Sequence, residues 1–292
     1  LRFQYAELLF EELEDKESSI NLFNEILENN AEHHPSISFL ERYAAKGNIA
    51  VDSLLEKLYS WKGHWQKLLD LFEASLDSCI DLAQRAQLHA RIAAIYEEEL
   101  ELIDPAVAAL RRGFVESPTD DHAFELFEGI ASRHNRWADF VDGMVEVLNG
   151  QKDPIIRQRL LKGVAKVCSE ELGDVDDAIG YYNQAIENQP DDLGAIASLE
   201  TLAGREEKWE HLVEALTARL RISSTGNERI GCLERLAQVV EESLGQPDRA
   251  LEYYQEIRDI EPGNLVAVGE MERIFQSLKK WESVVDNLGE QV

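Results

Sequence analysis

The sequence predicts an all-α fold, a solenoid of about 17 helices stacked as antiparallel hairpins. The first observation is a repeat of 72 residues, carried by the tryptophans Trp65, Trp137, Trp209 and Trp281 and by the prolines Pro118, Pro190 and Pro262. The second is that apolar residues are spaced by three and four, as one face of a helix requires. The third is that no segment alternates with a period of two over a useful length. Together they favour stacked helices over a sheet.

Each 72-residue unit is predicted to contain four helices. In the last unit, the first helix carries its apolar face on Ile230, Leu233, Leu236, Ala237, Val240 and Leu244. Gly173 and Gly245 follow the last apolar residue of this helix in two units, where a helix end favours a residue that accepts positive φ. Pro247 then fits the first turn of the second helix, because a missing N–H costs nothing there.

The third helix of each unit follows a proline that ends the second helix. Asp120, Asp192 and Asn264 stand two residues after these prolines, and their side chains are predicted N-caps. A short turn then leads to the tryptophan that opens the fourth helix. We expect these tryptophans to fill hairpin cores rather than to stack on a ligand, since an aromatic stripe on a helix is usually core. Trp61 lies outside the period and is expected to be partly exposed.

The repeat gives the expected domain organisation, a single solenoid over residues 1–292. Residues 1–78 form a divergent first unit with an extra short helix near 36–46, and the regular units are 79–150, 151–222 and 223–292. The chain begins inside an amphipathic pattern and stops inside or just after a helix. We therefore expect it to be a piece of a longer array.

Composition restricts the class of partner. The chain has 57 acidic and 29 basic residues, a net charge of −28, which opposes nucleic acid and anionic membranes and favours a basic partner. No apolar run reaches the ~18 residues of a membrane helix. Cys79, Cys168 and Cys232 form no disulfide framework, and the last two fall in apolar positions of the repeat. We expect a reducing, cytoplasmic environment.

The hairpin residues carry a family resemblance. The last unit contains the set Leu244, Gly245, Ala250, Tyr254 and Pro262, which recurs as Leu172, Gly173, Ala178, Tyr182 and Pro190, and again without the Gly and the aromatic residue as Leu100, Ala106, Leu110 and Pro118. At this spacing the sequence resembles the tetratricopeptide repeat (TPR). The resemblance implies a right-handed superhelix whose first helices line a concave groove, and a protein-binding role. The tryptophan hairpins depart from it, because Phe140, Leu212 and Val284 replace the small residue, and we expect these hairpins to be more splayed.

Carboxylates recur at the end of the first helix of each unit. The row consists of Glu98, Glu170 and Glu242, with Glu11 in the corresponding place of the first unit and Glu99 and Glu171 beside it. A helix C-terminus disfavours negative charge by about 0.3–1 kcal/mol, so the repetition invites an explanation. If the TPR resemblance holds, the row makes an acidic groove for a basic or amphipathic peptide. The alternative is a solvated acidic face that serves solubility.

No motif indicates chemistry. The seven histidines show no metal-ligand spacing, and no catalytic triad order, phosphate loop or paired-cysteine motif is present, so we expect neither an enzyme nor a cofactor. No Lys is followed four residues later by Asn, which argues against the clamp that some TPR proteins use for acidic chaperone tails. The sequence therefore predicts a protein-binding scaffold. The alternatives are the non-catalytic arm of a larger enzyme and a self-assembly module that forms a homo-oligomer.

Overall fold

The structure, a computed structural model, describes residues 1–44 and 48–283. These residues form sixteen α-helices and no strand, and residues 281–283 are also helical. Connections are short, so consecutive helices pair as hairpins. The predicted all-α fold of stacked hairpins is confirmed.

The chain divides into two compact units, residues 1–143 and residues 144–292. The first contains α1 (Arg2–Glu11), α2 (Lys16–Asn29), α3 (His34–Tyr43), α4 (Ile49–Lys62), α5 (Trp65–Ser78), α6 (Leu82–Ala94), α7 (Ile103–Glu116), α8 (Asp121–His134) and the first half of α9 (Trp137–Gly150). The second contains the rest of α9, α10 (Pro154–Val167), α11 (Val175–Asn188), α12 (Leu193–Arg205), α13 (Trp209–Ile222), α14 (Gly226–Gln238), α15 (Pro247–Ile260) and α16 (Leu265–Ser277).

Helix starts keep the 72-residue period without drift. The helices α6, α10 and α14 begin at 82, 154 and 226, and α4, α8, α12 and α16 begin at 49, 121, 193 and 265. The predicted extra helix is α3, which starts earlier than expected because His33 caps it and Pro35 lies in its first turn. The end of the predicted segment, residues 45–46, falls outside the described residues. That residues 1–292 form one solenoid stays a prediction.

The turns inside hairpins are left-handed at fixed places. Gly173 and Gly245 have φ of 69° and 65°, as predicted, and Glu101 takes the same position in the first regular unit with φ 55°. A second series of left-handed residues precedes the tryptophan helices: Gly63, Asn135, Glu207 and Lys279, with φ between 53° and 64°. This second series could not be predicted from the sequence, because its residue types vary.

A π-helical turn follows α6, α10 and α14. These turns span Ile95–Glu99, Cys168–Leu172 and Val239–Ser243. After each π turn, a backbone hydrogen bond between residues six apart closes the left-handed turn. In the first case Leu102 N–H donates to Tyr96 O (2.7 Å). A π turn widens the helix and re-aims the side chains on it, and such turns are frequent at functional sites.

The predicted N-caps are confirmed. The side chains of Asp120, Asp192 and Asn264 accept hydrogen bonds from backbone N–H groups of α8, α12 and α16. The helices α6, α10 and α14 are capped in the same register by Asp81, Asp153 and Thr225. The first and the third helix of each regular unit therefore both begin at a capping side chain.

The core lies between the helices of successive hairpins. Ala106, Ala178 and Ala250 are fully buried, which lets paired helices approach closely. Phe140 and Leu212 are buried as well, whereas Val284 lies outside the described residues. The splay predicted for their hairpins stays a prediction.

The tryptophans are less buried than expected for core plugs. Trp65, Trp137 and Trp209 are half-buried, and Trp281 is 62% exposed. Trp209 packs against a buried cluster that includes Leu212 and Val240. Trp61 is 73% exposed. The periodic tryptophans therefore cover the core edge and leave part of each ring accessible.

The predicted burial of Cys168 and Cys232 is confirmed. Burial raises the pKa of the Cys168 thiol to about 11, and Asp177 and Asp174 add to the rise. A thiol with so high a pKa is a poor nucleophile at neutral pH.

Arginines at the period of 72 join each repeat to the preceding one. Arg85, Arg157 and Arg229 each donate from Nη1 to a carbonyl at the end of the previous tryptophan helix: Leu76 O, Leu148 O (2.9 Å) and Leu220 O (3.3 Å). The guanidinium satisfies orphan carbonyls and meets the negative end of the helix dipole. This contact fixes the start of the helix whose far end carries the acidic row.

Within the described ranges, no helix is both long and apolar enough to cross a bilayer.

Candidate partner-binding surface

The predicted acidic residues lie on the π turns. Glu98 and Glu99 follow α6, Glu170 and Glu171 follow α10, and Glu242 follows α14. Glu11 ends α1, which has no π turn. All six carboxylates are exposed. That they form one continuous groove stays a prediction.

Contacts distinguish the members of the row. Glu11 accepts a hydrogen bond from Tyr43 Oη (2.6 Å), so this carboxylate already has a partner on the extra helix α3. Glu170 lies 3.9 Å from Lys166 Nζ, and Glu242 accepts from Gln238 Nε2 (3.2 Å), both within one helix. Glu98, Glu99 and Glu171 make no side-chain hydrogen bond or ion pair with the described part of the chain.

In two of the units, the carboxylate that directly precedes the row is hydrogen-bonded to an arginine. Glu97 receives two hydrogen bonds from Arg133 (2.9 Å each) and one from His134 (2.8 Å). The Arg133 bonds lower the pKa of Glu97 despite its partial burial. Glu241 accepts a single hydrogen bond from Arg273 (2.8 Å). These pairs fasten the π turn to the third helix of its unit, and the following carboxylates Glu98 and Glu242 remain available.

In residues 1–143, Glu98 and Glu99 rim an open crevice of about 320 Å³ between α4, α5 and α6. Trp65 forms one wall, and Arg91 and Glu56 face each other within it. Arg91 is ion-paired to Glu56 and also lies over the Phe72 ring, 4.3 Å from its centroid. Desolvation by burial lowers the pKa of Arg91. The pair is part of the lining of this crevice.

In residues 144–292, Glu242 rims an open crevice of about 800 Å³ between α12, α13 and α14. Its lining repeats the first crevice at a distance of 144 residues, two repeats further along: Glu200 for Glu56, Trp209 for Trp65, Arg235 for Arg91 and Glu242 for Glu98. A crevice between a tryptophan helix and the next first helix is therefore a recurring feature of the fold.

The electrostatics of the second crevice differ. The Glu200 side chain is only 6% exposed and accepts from Arg219 Nη1 (2.7 Å) rather than from Arg235. Burial raises the pKa of Glu200, while Arg219 and Arg235 oppose the rise. The Glu200 Oε1 atom is buried without a hydrogen-bond partner.

The described residues contain no group of three or more His, Cys, Asp or Glu that could hold a metal ion. His89 is buried against Glu116, and His134 binds Glu97, so both serve packing and turn geometry. The crevices are lined by carboxylates, guanidiniums and tryptophan side chains.

A family model of the tetratricopeptide repeat matches residues 167–192, the end of α10, its π turn and α11. That segment is one member of the hairpin series that recurs every 72 residues. The chain is a TPR-like helical repeat protein. No curated protein sequence matches it.

Several solved structures resemble this TPR-like chain at low identity. They include YrrB, described as a TPR protein with an unusual peptide-binding site (14% identity, TM-score 0.34, 68% of this chain and 96% of that one). Others are pilF of Pseudomonas aeruginosa (16%, TM-score 0.33, 76% and 94%) and Naa15/Naa10 bound to HypK-THB (15%, TM-score 0.40, 94% and 39%).

Sequence reasoning missed the inner residues of the crevices in this TPR-like chain. Glu56 and Glu200 share the 72-residue register with Glu128, and Arg91 lies 144 residues before Arg235, so a periodic signal was present. A charged residue in a repeat is most simply interpreted as solvent-facing. Only the packing of three helices shows that Glu200 is buried.

Proposed function

We propose that this chain is a protein-interaction scaffold without catalytic activity, which binds a basic peptide segment through the exposed carboxylates of its π turns. The observation that carries the proposal is the placement of Glu98, Glu99 and Glu242 at the rims of crevices walled by half-buried tryptophans. Carboxylates without strong internal partners keep their capacity to accept charge-assisted hydrogen bonds.

Two physical features support a basic partner. The net charge of −28 attracts cationic segments and speeds their encounter. The accessible parts of Trp65 and Trp209 can contact a Lys or Arg side chain, an interaction of about 0.5–2 kcal/mol. A segment that places basic residues at the rims gains both the attraction of the negative charge and the contact with the tryptophan rings.

The test is the affinity of a fluorescein-labelled, amidated 12-residue peptide of alternating Lys and Ala, measured by fluorescence anisotropy at two salt concentrations. The triple variant Glu98→Gln, Glu170→Gln, Glu242→Gln is expected to weaken binding about tenfold at low salt, since each lost exposed pair contributes up to ~1 kcal/mol. Far-UV circular dichroism verifies that the variant is folded.

A matched variant controls for bulk charge. Glu187, Glu252 and Glu256 are exposed on α11 and α15 and make no side-chain hydrogen bond or ion pair with described residues. Changing these three to Gln removes the same charge and is expected to weaken binding less than twofold. Equal weakening by both triple variants would show that the acidic row serves solubility only.

Self-assembly is a second candidate, favoured by one observation. Tyr5 and Leu8 on α1 are 57% and 53% exposed, so this helix presents an apolar face. Light scattering over a concentration series decides the point: a rising molar mass that Tyr5→Ser, Leu8→Ser abolishes supports self-assembly, and a constant monomer mass rejects it.

A further inference from the structure

An apolar cavity of about 250 Å³ lies between α2 and α4, and we call it the leucine pocket. Its floor consists of buried leucines, its wall is a tryptophan and its rim carries two charged residues: Leu27, Leu54 and Leu58, then Trp61, then Glu28 and Lys57. Along the chain the extra helix α3 separates α2 from α4, whereas a connection of four residues joins the corresponding helices α7 and α8. The helices around the pocket are therefore not held together by a short turn.

The wall of the pocket, Trp61, is 73% exposed. The residues at its register in the later units are Arg133, Arg205 and Ser277. Arg133 and Arg205 donate hydrogen bonds to carboxylates, whereas an indole ring at this place adds apolar surface beside the leucines. Tryptophan is among the side chains that contribute most to protein interfaces when a partner covers them. The ring and the leucine floor together form a surface that one apolar side chain would bury.

The leucine pocket and the crevice rimmed by Glu98 and Glu99 lie on either side of the exposed face of α4. Glu56 and Ser60 line the crevice, and the residues that follow each of them in the chain, Lys57 and Trp61, line the pocket. Ser60 is small and exposed, so the ridge between the two cavities is low. A helix with its side chains is about 10–12 Å wide, and an extended chain rises about 3.3 Å per residue. A segment that crosses α4 therefore reaches from the crevice to the pocket within about three residues.

The charges that line the two cavities differ between the two sides of α4. Lys57 Nζ lies 3.3 Å from Glu28 Oε1, and Arg91 is paired to Glu56, so these four charges balance. The two rim carboxylates of the crevice make no ion pair with the described residues and leave that side negative. The mouth of the leucine pocket is neutral and attracts neither sign. Charge complementarity thus favours a basic residue at the crevice and an uncharged one at the pocket.

We propose that the leucine pocket binds one aliphatic side chain, Leu, Ile or Met, of the same basic segment whose cationic residues lie at Glu98 and Glu99. The segment carries this apolar residue about three positions from a basic one, as the width of α4 requires. Its burial removes the Trp61 ring and the leucine floor from water, and the gain grows with the apolar area covered. This specification rests on the proposed function, because the charge of the segment holds it at the crevice.

The experiment compares two fluorescein-labelled, amidated 12-residue peptides of alternating Lys and Ala, one of which has Leu in place of a central Ala. Both have the same charge, and both place lysines three positions from the exchanged residue. In fluorescence anisotropy the full chain is expected to bind the Leu peptide about tenfold more tightly, because a leucine buries more apolar area than an alanine. Equal affinities overturn this inference and leave the basic-segment proposal standing. If neither peptide binds, both are overturned.

Two matched variants locate the effect. Trp61→Ser removes the wall of the pocket and is expected to reduce the preference for Leu to less than about twofold. Ile49→Ser removes an apolar side chain that is 79% exposed on the same helix, outside the pocket, and is expected to keep the preference. Both positions are exposed, so both variants should fold, which far-UV circular dichroism verifies. A preference for Leu that survives in Trp61→Ser overturns the inference.

Light scattering tests whether a second copy of the chain covers the leucine pocket instead. The expected result is the same molar mass for the unmodified chain and for Trp61→Ser. A mass above that of the monomer that falls in Trp61→Ser would assign the pocket to self-association and overturn the inference.

Discussion

The hairpins α6–α7 and α10–α11 share one backbone register and fill it with different chemistry. In α6–α7, Arg85 binds Glu116 through two nitrogens (2.7 and 2.8 Å), and the buried His89 lies 3.3 Å from the same carboxylate. In α10–α11, a leucine replaces His89 and an asparagine replaces Glu116. The capping arginine is common to both hairpins.

The second hairpin replaces the ionic cluster by amide hydrogen bonds. Asn188 donates to Gln158 (2.9 Å), which in turn donates to the N-cap carboxylate of Asp192 (2.8 Å). Leu161 fills the place of the histidine. The two hairpins therefore have the same helix starts, the same left-handed turn and the same arginine cap. The side chains that pack between their helices differ.

The largest expected effect comes from the arginine cap. Arg85→Met removes the hydrogen bonds to the end of α5 and leaves Glu116 without its main partner, so the opening free energy of α6 should fall by about 2–3 kcal/mol. Arg157→Met loses only carbonyl bonds, and the opening free energy of α10 should fall by about 1 kcal/mol. Native-state hydrogen exchange of the amides in each helix measures both.

Equal losses in the two helices would mean that the Glu116 pair contributes nothing beyond the cap. Melting of every helix by the same amount in either variant would contradict the nearest-neighbour stability expected of a repeat array.

The second effect is a pH dependence confined to α6–α7. Burial lowers the pKa of His89 below its usual 6.5, outweighing the attraction of Glu116. The unfolded chain therefore takes up this proton first, and stability falls as the pH decreases below about 6.5. Arg85 lowers the pKa of Glu116 as well, so a further loss follows below about 4.5.

His89→Leu copies the leucine of the second hairpin and should remove the loss between about pH 6.5 and 5, with a change of less than ~1 kcal/mol at pH 7.5. Thermal melts followed by circular dichroism across this pH range give the measurement. His122→Gln, at an exposed histidine, is the control and should leave the slope intact. A slope that survives in His89→Leu assigns the pH dependence to other groups.

The same comparison shows where sequence reasoning succeeds. Gly173, Gly245 and the caps Asp120, Asp192 and Asn264 were predictable because a local backbone demand selects the residue type. Glu101 and Glu207 escaped notice, since a left-handed turn can be imposed by the surrounding hairpin on a residue that does not favour it. The burial of Glu200 and its pairing with Arg219 depend on three helices meeting, and no local pattern encodes that. The exposure of the acidic row follows from the period, but a shared groove requires geometry beyond a single unit.

The smallest effect concerns the left-handed turn itself. Glu101 has φ 55° where the other two hairpins have glycine. The left-handed conformation costs a residue with a Cβ about 1–2 kcal/mol. Glycine avoids this cost but loses more chain entropy on folding, which offsets about 0.5–1 kcal/mol of the gain. Glu101→Gly should therefore stabilise the α6–α7 hairpin by about 0.5–1 kcal/mol, and Gly173→Glu should destabilise α10–α11 by a similar amount. Hydrogen exchange of the amides that flank each turn measures both changes. Free-energy changes of opposite sign and similar size would show that the two hairpins have the same turn geometry. They would then differ only in how well the residue at the turn suits the left-handed conformation. A Glu101→Gly chain that gains nothing would instead show that the Glu101 side chain contributes a contact that offsets its backbone strain.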